Sequence, residues 1–119
     1  LETGLSAEEN NILIRYHDFL VKLIPILNRI PRDAKFIIGD RIMAIALDIL
    51  ENLITAYYRK HEKMSKLAEV NLQIEKIRQL LRVAHSLQYL SHKQFGIILE
   101  SLDEIGRLTG GWIRSLQKE

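Results

Sequence analysis

Arg78 and Arg82 lie four residues apart, a spacing that puts them on one helical face. Two planar guanidiniums side by side can hold successive phosphates through charge-assisted hydrogen bonds. Arg59, Lys60, Lys63 and Lys66 crowd a short stretch upstream, and Lys76, Lys93 and Arg114 complete the basic candidates. No acid stands between Lys76 and Leu99. Cations in this pattern bind polyanions through phosphate, with little sequence preference and a steep salt dependence. Tyr57, Tyr58 and Tyr89 are the aromatic residues near this region that could stack on bases. The plainer alternative is that a basic run on a helix is only a solvated face.

Other chemistries lack their residues. A di-iron helix bundle needs Glu-x-x-His, but Ile14, Tyr58, Arg82 and Tyr89 stand three before His17, His61, His85 and His92. His61-Glu62 starts like HExxH, yet Ser65 occupies the second His position. With no Cys there is no thiolate nucleophile, zinc ribbon or disulfide framework. Neither GxSxG, a P-loop nor GxGxxG is present. Gly106, Gly110 and Gly111 fall inside a helical repeat and follow no strand. A helical Gly costs ~1 kcal/mol relative to Ala. Close helix packing, within or between subunits, is the expected compensation. The expectation is a non-enzymatic protein without metal or cofactor.

The elements that position these residues are helical. The chain has 119 residues, 47% apolar and 27% charged, which suits a single folded domain over residues 1–119. The net charge is only +2, but residues 1–58 carry eight acids and six bases, and residues 59–119 seven acids and eleven bases. That asymmetry points to a polyanionic partner more than the total does. The longest uncharged stretch is ten residues, against the ~20 apolar residues of a membrane span. No basic-then-apolar segment opens the chain, so a cytoplasmic location is expected.

Four helices are predicted. The first runs from Ala7 to Arg29, with a capping box at Ser6 and Glu9 and a core repeat at Leu13, Tyr16, Leu20, Leu23, Leu27 and Ile30. Pro25 inside it predicts a bend or an early stop. The second runs from Lys35 to His61 behind a possible Asp33 cap. It carries two adjacent stripes: Ile42, Ala46, Ile49, Leu53, Ala56, and Met43, Leu47, Leu50, Ile54, Tyr57. The third runs from Ser65 to Tyr89 on Leu67, Val70, Ile74, Ile77, Leu81 and Ala84, with Leu72, Val83 and Leu90 as a separate patch. The fourth follows a Ser91–Gln94 capping box and repeats at Phe95, Ile98, Leu102, Ile105, Thr109, Trp112 and Leu116.

No window alternates with period two, and no hairpin turn signal appears. Short connections favour antiparallel neighbours, hence an all-α, up-down-up-down four-helix bundle. The second stripe of helix two and the Leu72–Val83–Leu90 patch exceed what one core needs. Such surplus predicts a partner surface or a homo-oligomer, unless the N-terminal segment and loops cover it.

From Phe36 onward the residues resemble a known family. Gly39-Asp40-Arg41-Ile42, Ala46-Leu47-Asp48, Leu50-Glu51 and Ala56-Tyr57-Tyr58 look like its second helix. Glu75-Lys76-Ile77-Arg78 with Leu80-Leu81-Arg82 and Ala84 looks like its third. Tyr89-Leu90-Ser91, Lys93-Gln94-Phe95, Leu102-Asp103-Glu104-Ile105-Gly106-Arg107 and Gly110-Gly111-Trp112-Ile113 look like its fourth. Tyr16, Phe19, Leu20 and Pro25 extend the likeness loosely into the first helix. The family is the accessory variability determinant of diversity-generating retroelements. It is related to the four-helix proteins encoded by intervening sequences in bacterial 23S ribosomal RNA genes.

The resemblance implies a non-enzymatic accessory protein that forms a ring, a homopentamer of four-helix bundles. It implies binding to a reverse transcriptase, and to RNA and DNA with low sequence specificity, in support of mutagenic retrohoming. Arg78 and Arg82 match the family's basic pair on the third helix and take a binding role on that ground. Arg59, Lys60, Lys63, Lys66, Lys76, Lys93 and Arg114 rest on charge alone. The alternative is a structural or protein-interaction bundle of the intervening-sequence type.

Overall fold

The computed structural model describes residues 7–118, with side chains over 12–118. Four long helices, α1 (Ala7–Asn28), α2 (Asp40–Tyr58), α3 (Lys63–Ser86) and α4 (His92–Gln117), account for nearly all of it. No strand occurs among the described residues. Each helix packs on the next in sequence and α4 returns to α1, with the α1–α2 seam the loosest of the four. The resulting up-down-up-down bundle measures 46 × 23 × 21 Å.

The expected core repeats lie inside. Leu67, Val70, Ile74, Ile77, Leu81 and Ala84 of α3 are buried, as are Ile98, Leu102, Ile105, Thr109 and Trp112 of α4. In α1, Ile12 and Phe19 join Tyr16, Leu20, Leu23 and Leu27 in the core, while Leu13 is half-buried. The helix passes through Pro25 to Asn28 without stopping early. Pro25 lies on the exposed face, where water can take the carbonyl its missing N–H leaves free. The capping box expected at Ser6 and Glu9 lies outside the described residues.

The second helix differs most from expectation. One turn at Arg32–Ala34, behind a Pro31 that makes no cap, leads into a π-helical stretch at Lys35–Gly39. Asp33 sits within that first turn and does not cap it. The physical reason for the π stretch is in the spacing. Ala34, Ile38, Ile42 and Ala46 are all buried, each four residues after the last. In a regular α-helix a step of four overshoots the turn by about 40°, so three steps would carry Ala46 about 120° off the core face. The wider π turn, in which Asp40 N–H donates to the Lys35 carbonyl, takes up the excess. Gly39 permits it, since a Cβ there would stand 2.9 Å from Ile30 Cδ1. The turn also throws Phe36 and Ile37 outward.

Two polar bonds set the register of α2. The Tyr16 hydroxyl donates to the Ala46 carbonyl at 2.5 Å and ties α1 to α2. Burial pushes its phenol pKa well above the ordinary value. Asn52 Nδ2 donates to Oε1 of the buried Gln73 at 2.9 Å and ties α2 to α3. The helix ends at Tyr58, earlier than expected, and a 3₁₀ turn at Lys60–Glu62 leads into α3.

α3 ends at Ser86 in a Schellman motif: Gln88 N–H donates to the His85 carbonyl and Tyr89 N–H to the Ala84 carbonyl. Gln88 takes the left-handed conformation, φ 65°, that usually falls to Gly. The chain then turns into the Ser91–Gln94 capping box, both of whose bonds form at 3.0 Å.

The surplus apolar residues divide. Met43, Leu50 and Tyr57 are half-buried along the α1 side, while Leu47 and Ile54 remain exposed. Leu72 and Val83 are exposed, but Leu90 is buried, because the chain after the Schellman turn folds back over the end of the core.

Candidate nucleic-acid interface

The basic candidates fall into separate places. Arg59, Lys60, Lys63, Lys66 and Arg114 gather at one end of the bundle, where α2 stops, α3 starts and α4 stops. Lys76 and Arg78 lie at mid-height on α3, and Arg82 and Lys93 lie toward the opposite end. Lys66 and Arg82 are sixteen residues apart on one helix, a separation of ~24 Å. A single short contact therefore does not span the set.

Arg78 and Arg82 are not equivalent. The Arg78 side chain is only 23% exposed; it donates to Glu75 at 2.5 Å and to Asp103 of α4 at 2.6 Å. The Asp103 hydrogen bond, then that of Glu75, holds its guanidinium pKa above the ordinary value. Arg82 is exposed, with no ion pair among the described residues. Of the two guanidiniums expected to clamp successive phosphates, one is thus already occupied as a brace between α3 and α4.

At the α2–α3 end Arg59, Lys60 and Arg114 are exposed and Lys63 and Lys66 are half-buried, and the cluster is organised. Arg59 pairs with Glu62 at 3.0 Å across the 3₁₀ turn. That hydrogen bond, with the nearby His61 and Lys66, keeps the Glu62 carboxyl below the usual range. Lys63 Nζ stands over the Trp112 ring, 5.4 Å from its centre. Tyr58, 75% exposed, leans on Tyr57 with ring centres 4.6 Å apart. It is the stacking candidate best placed beside this cluster; Tyr57 and Tyr89 are half-buried.

The glycines of α4 serve two purposes. Gly106 faces Ile74 of α3, with a would-be Cβ at 4.0 Å from Ile74 Cγ2, an ordinary contact. Among the residues whose side chains are described, no other helix comes within 4 Å of a would-be Cβ at Gly110 or Gly111. Their nearest atoms are the Arg114 guanidinium nitrogens, 3.3 and 3.8 Å from a would-be Cβ. The pair is a seat that lets Arg114 fold back along α4.

Charge in this bundle is sorted by height. Counting only the residues whose side chains are described, 12–118, the end just described carries Arg59, Lys60, Lys63, Lys66, Arg114 and Lys118 against Glu62 and Glu69. The far end carries Lys22, Arg29, Arg32, Lys35, Arg41, Arg82 and Lys93 against Asp33, Asp40 and Glu100. Between them runs an acidic belt of Asp18, Asp48, Glu51, Glu75, Asp103 and Glu104, with Arg15, Lys76, Arg78 and Arg107. Each basic end is assembled from several helices. A division of the chain into halves therefore captures the first end and misses Arg29, Arg32 and Lys35 in the second. Their spacing held no signal, but helix order and length would have placed them together.

His85 stacks on Phe95 with ring centres 4.2 Å apart and lies 5.6 Å from His92. No group of three or more His, Cys, Asp or Glu that could hold a metal occurs among the described residues. No helix among them is long and apolar enough to cross a membrane. Residues 12–116 match the family described as bAvd-like. No curated protein matches the chain.

Proposed function

The chain belongs to the bAvd-like family, and from that premise we propose that it is the accessory protein of a diversity-generating retroelement. It binds the reverse transcriptase, and it binds RNA and DNA through phosphate with low sequence specificity, so that mutagenic retrohoming can proceed. It performs no catalysis itself. It works in the cytoplasm as a homo-oligomeric ring, a pentamer of bundles standing side by side.

The observation that supports this reading best is the sorting of charge by height. A net charge of +2 is small for a polyanion-binding chain. Bundles ranged around an axis along their length bring their basic ends together, and each end then forms one basic rim. Copy number multiplies a modest local charge, as in multivalent binding generally. Arg59, Lys60, Lys63, Lys66 and Arg114 form the first rim, with Tyr58 as a stacking surface. Arg82 and Lys93 belong to the second. Arg78 holds α3 to α4 beneath them, and Lys76 lies in the belt.

The test is a salt titration of binding to a labelled single-stranded RNA, alongside co-purification with the reverse transcriptase. For single strands, each phosphate that the protein neutralises steepens the slope of log affinity against log salt by about 0.7. Replacing Arg59, Lys60 and Lys66 by Ala is expected to flatten that slope by about 2. No binding at low salt and no co-purification would leave the structural or protein-interaction bundle as the reading.

A further inference from the structure

This inference rests on the ring reading and names the surfaces that build it. Two faces of the bundle have no partner within the described chain. The first is an open groove of about 1000 Å³ between α2 and α3. Phe36 and Ile37, 68% and 76% exposed, stand at its upper rim, and Ile45 and Leu80 line its floor. Asp40, Asp48 and Glu69 line it with no ion pair among the described residues, against Arg41 and Lys76. The second is the outward face of α1. Ile14 and Val21, 53% and 58% exposed, stand seven residues apart. Arg15, Lys22 and Arg29 recur at the same interval, a cationic row beside the apolar one, with Asp18 the one acid among them.

Sign and height both match. Arg15 is level with Glu104, which it approaches at 3.8 Å. The adjacent Asp103 is level with Arg78. The Asn52–Gln73 bond then fixes α2 against α3 and brings Asp48 level with Arg78. Arg15 and Asp48 thus share one height to within about a helical turn. Lys22 stands seven residues above Arg15 and Asp40 eight residues above Asp48, ~10 and ~12 Å. Rotation about an axis along the bundle moves no residue in height. A neighbour's Arg15 and Lys22 therefore arrive level with Asp48 and Asp40, while its Ile14 and Val21 bracket Ile45.

We propose that the outward face of α1 in one copy seats in the α2–α3 groove of the next. The two faces are different surfaces, so the contact is head-to-tail. Contacts of that kind close into rings, whereas a surface that meets itself closes as a pair.

The experiment uses two full-length variants, Val21→Asp and Ile37→Asp, each at an exposed position. Circular dichroism first checks that both keep the wild-type helical melt. Mass is then measured in solution for each variant and for their equimolar mixture. Each variant alone is expected to run as a 13.8 kDa monomer, because each lacks one of the two faces. The mixture is expected to form a one-to-one dimer, since Ile37→Asp retains its α1 face and Val21→Asp its groove. If both variants keep the wild-type oligomer mass, this assignment is overturned and the ring reading stands. A mixture that stays monomeric overturns it in favour of a self-pairing surface. A monomeric wild-type protein overturns the assignment and the ring reading together.

Discussion

Arg78 of α3 holds Asp103 of α4 at 2.6 Å while gripping Glu75 of its own helix at 2.5 Å. One guanidinium thereby fixes the height of α4 against α3. Its partner in sequence, Arg82, is exposed and holds nothing among the described residues. Sequence spacing treats the two alike, and the fold separates them.

Single substitutions should show that separation. Arg78→Ala is expected to lower stability by about 1 kcal/mol, a charged hydrogen bond discounted for the half-exposed Asp103. Arg82→Ala should leave the melt within about 0.5 kcal/mol of wild type. RNA affinity should respond to Arg82→Ala at least as strongly. Thermal melts and binding titrations of the two single variants check both statements, and equal melts would remove the bracing role.

Acid should loosen the same contacts. Hydrogen bonds from Gln79 and then Arg78 hold the Glu75 carboxyl below its ordinary value of 4.5, as that of Arg59 does for Glu62. A carboxyl depressed in the folded state contributes fully above its unfolded pKa. The contribution is lost as pH falls through the folded value. The melting temperature should hold from neutrality to about pH 5 and decline below it. Glu75→Gln is expected to shallow that decline by lowering the melting temperature slightly at neutral pH and leaving it nearly unchanged in acid, where the wild-type carboxyl is itself protonated.

The Asn52–Gln73 pair offers a cleaner energetic test. Asn52→Ala leaves the buried Gln73 amide oxygen without its donor, a loss of about 1–3 kcal/mol. The double variant Asn52→Ala with Gln73→Leu should recover much of that, because no polar atom is then stranded. A double-mutant cycle by denaturant unfolding gives the coupling, which should be at least about 0.5 kcal/mol.

The π turn predicts an unusual tolerance. Deleting Ile37 shortens the Ala34-to-Ile38 step from four residues to three and lets a regular α-helix carry the same core face. That variant should fold with a similar melt. Deleting Leu47, equally a surface residue, would turn everything beyond it by about 100° and should prevent folding. Far-ultraviolet circular dichroism distinguishes the two.

Gln88 provides a prediction of opposite sign. It occupies a left-handed position at φ 65° and is exposed. Gln88→Gly is expected to stabilise by about 0.5–1 kcal/mol, seen as a higher denaturation midpoint at unchanged slope.

The four helices were legible because steps of three and four continue unbroken through α3 and α4, from Leu67 to Ala84 and from Phe95 to Leu116. The Ser91–Gln94 box was legible because its bonds are local. The π turn was not, since Ala34-Ile38-Ile42-Ala46 reads as a slightly irregular α-helix until the core fixes its face. Ile12 and Phe19 fall outside the expected core repeat because a helix packed on two neighbours buries a face wider than one stripe. The cations themselves were legible; their partners were not. Asp103 lies twenty-five residues from Arg78 and meets it only when α4 turns back. Likewise spacing gave no hint that Arg114 of the same helix is the nearest described group to Gly110 and Gly111.

The α1–α2 seam is the loosest of the four, and α1 packs more extensively on α4. During synthesis α1 leaves the ribosome first and its principal partner last. The 63 residues between Asn28 and His92 take roughly 3–13 s to translate at common rates. For that interval the buried stripe of α1 has no permanent cover, while α2 and α3 can already pair. The order of making and the order of docking are opposed, so α1 closes the bundle and should be the first segment to exchange its amide protons when the native protein breathes.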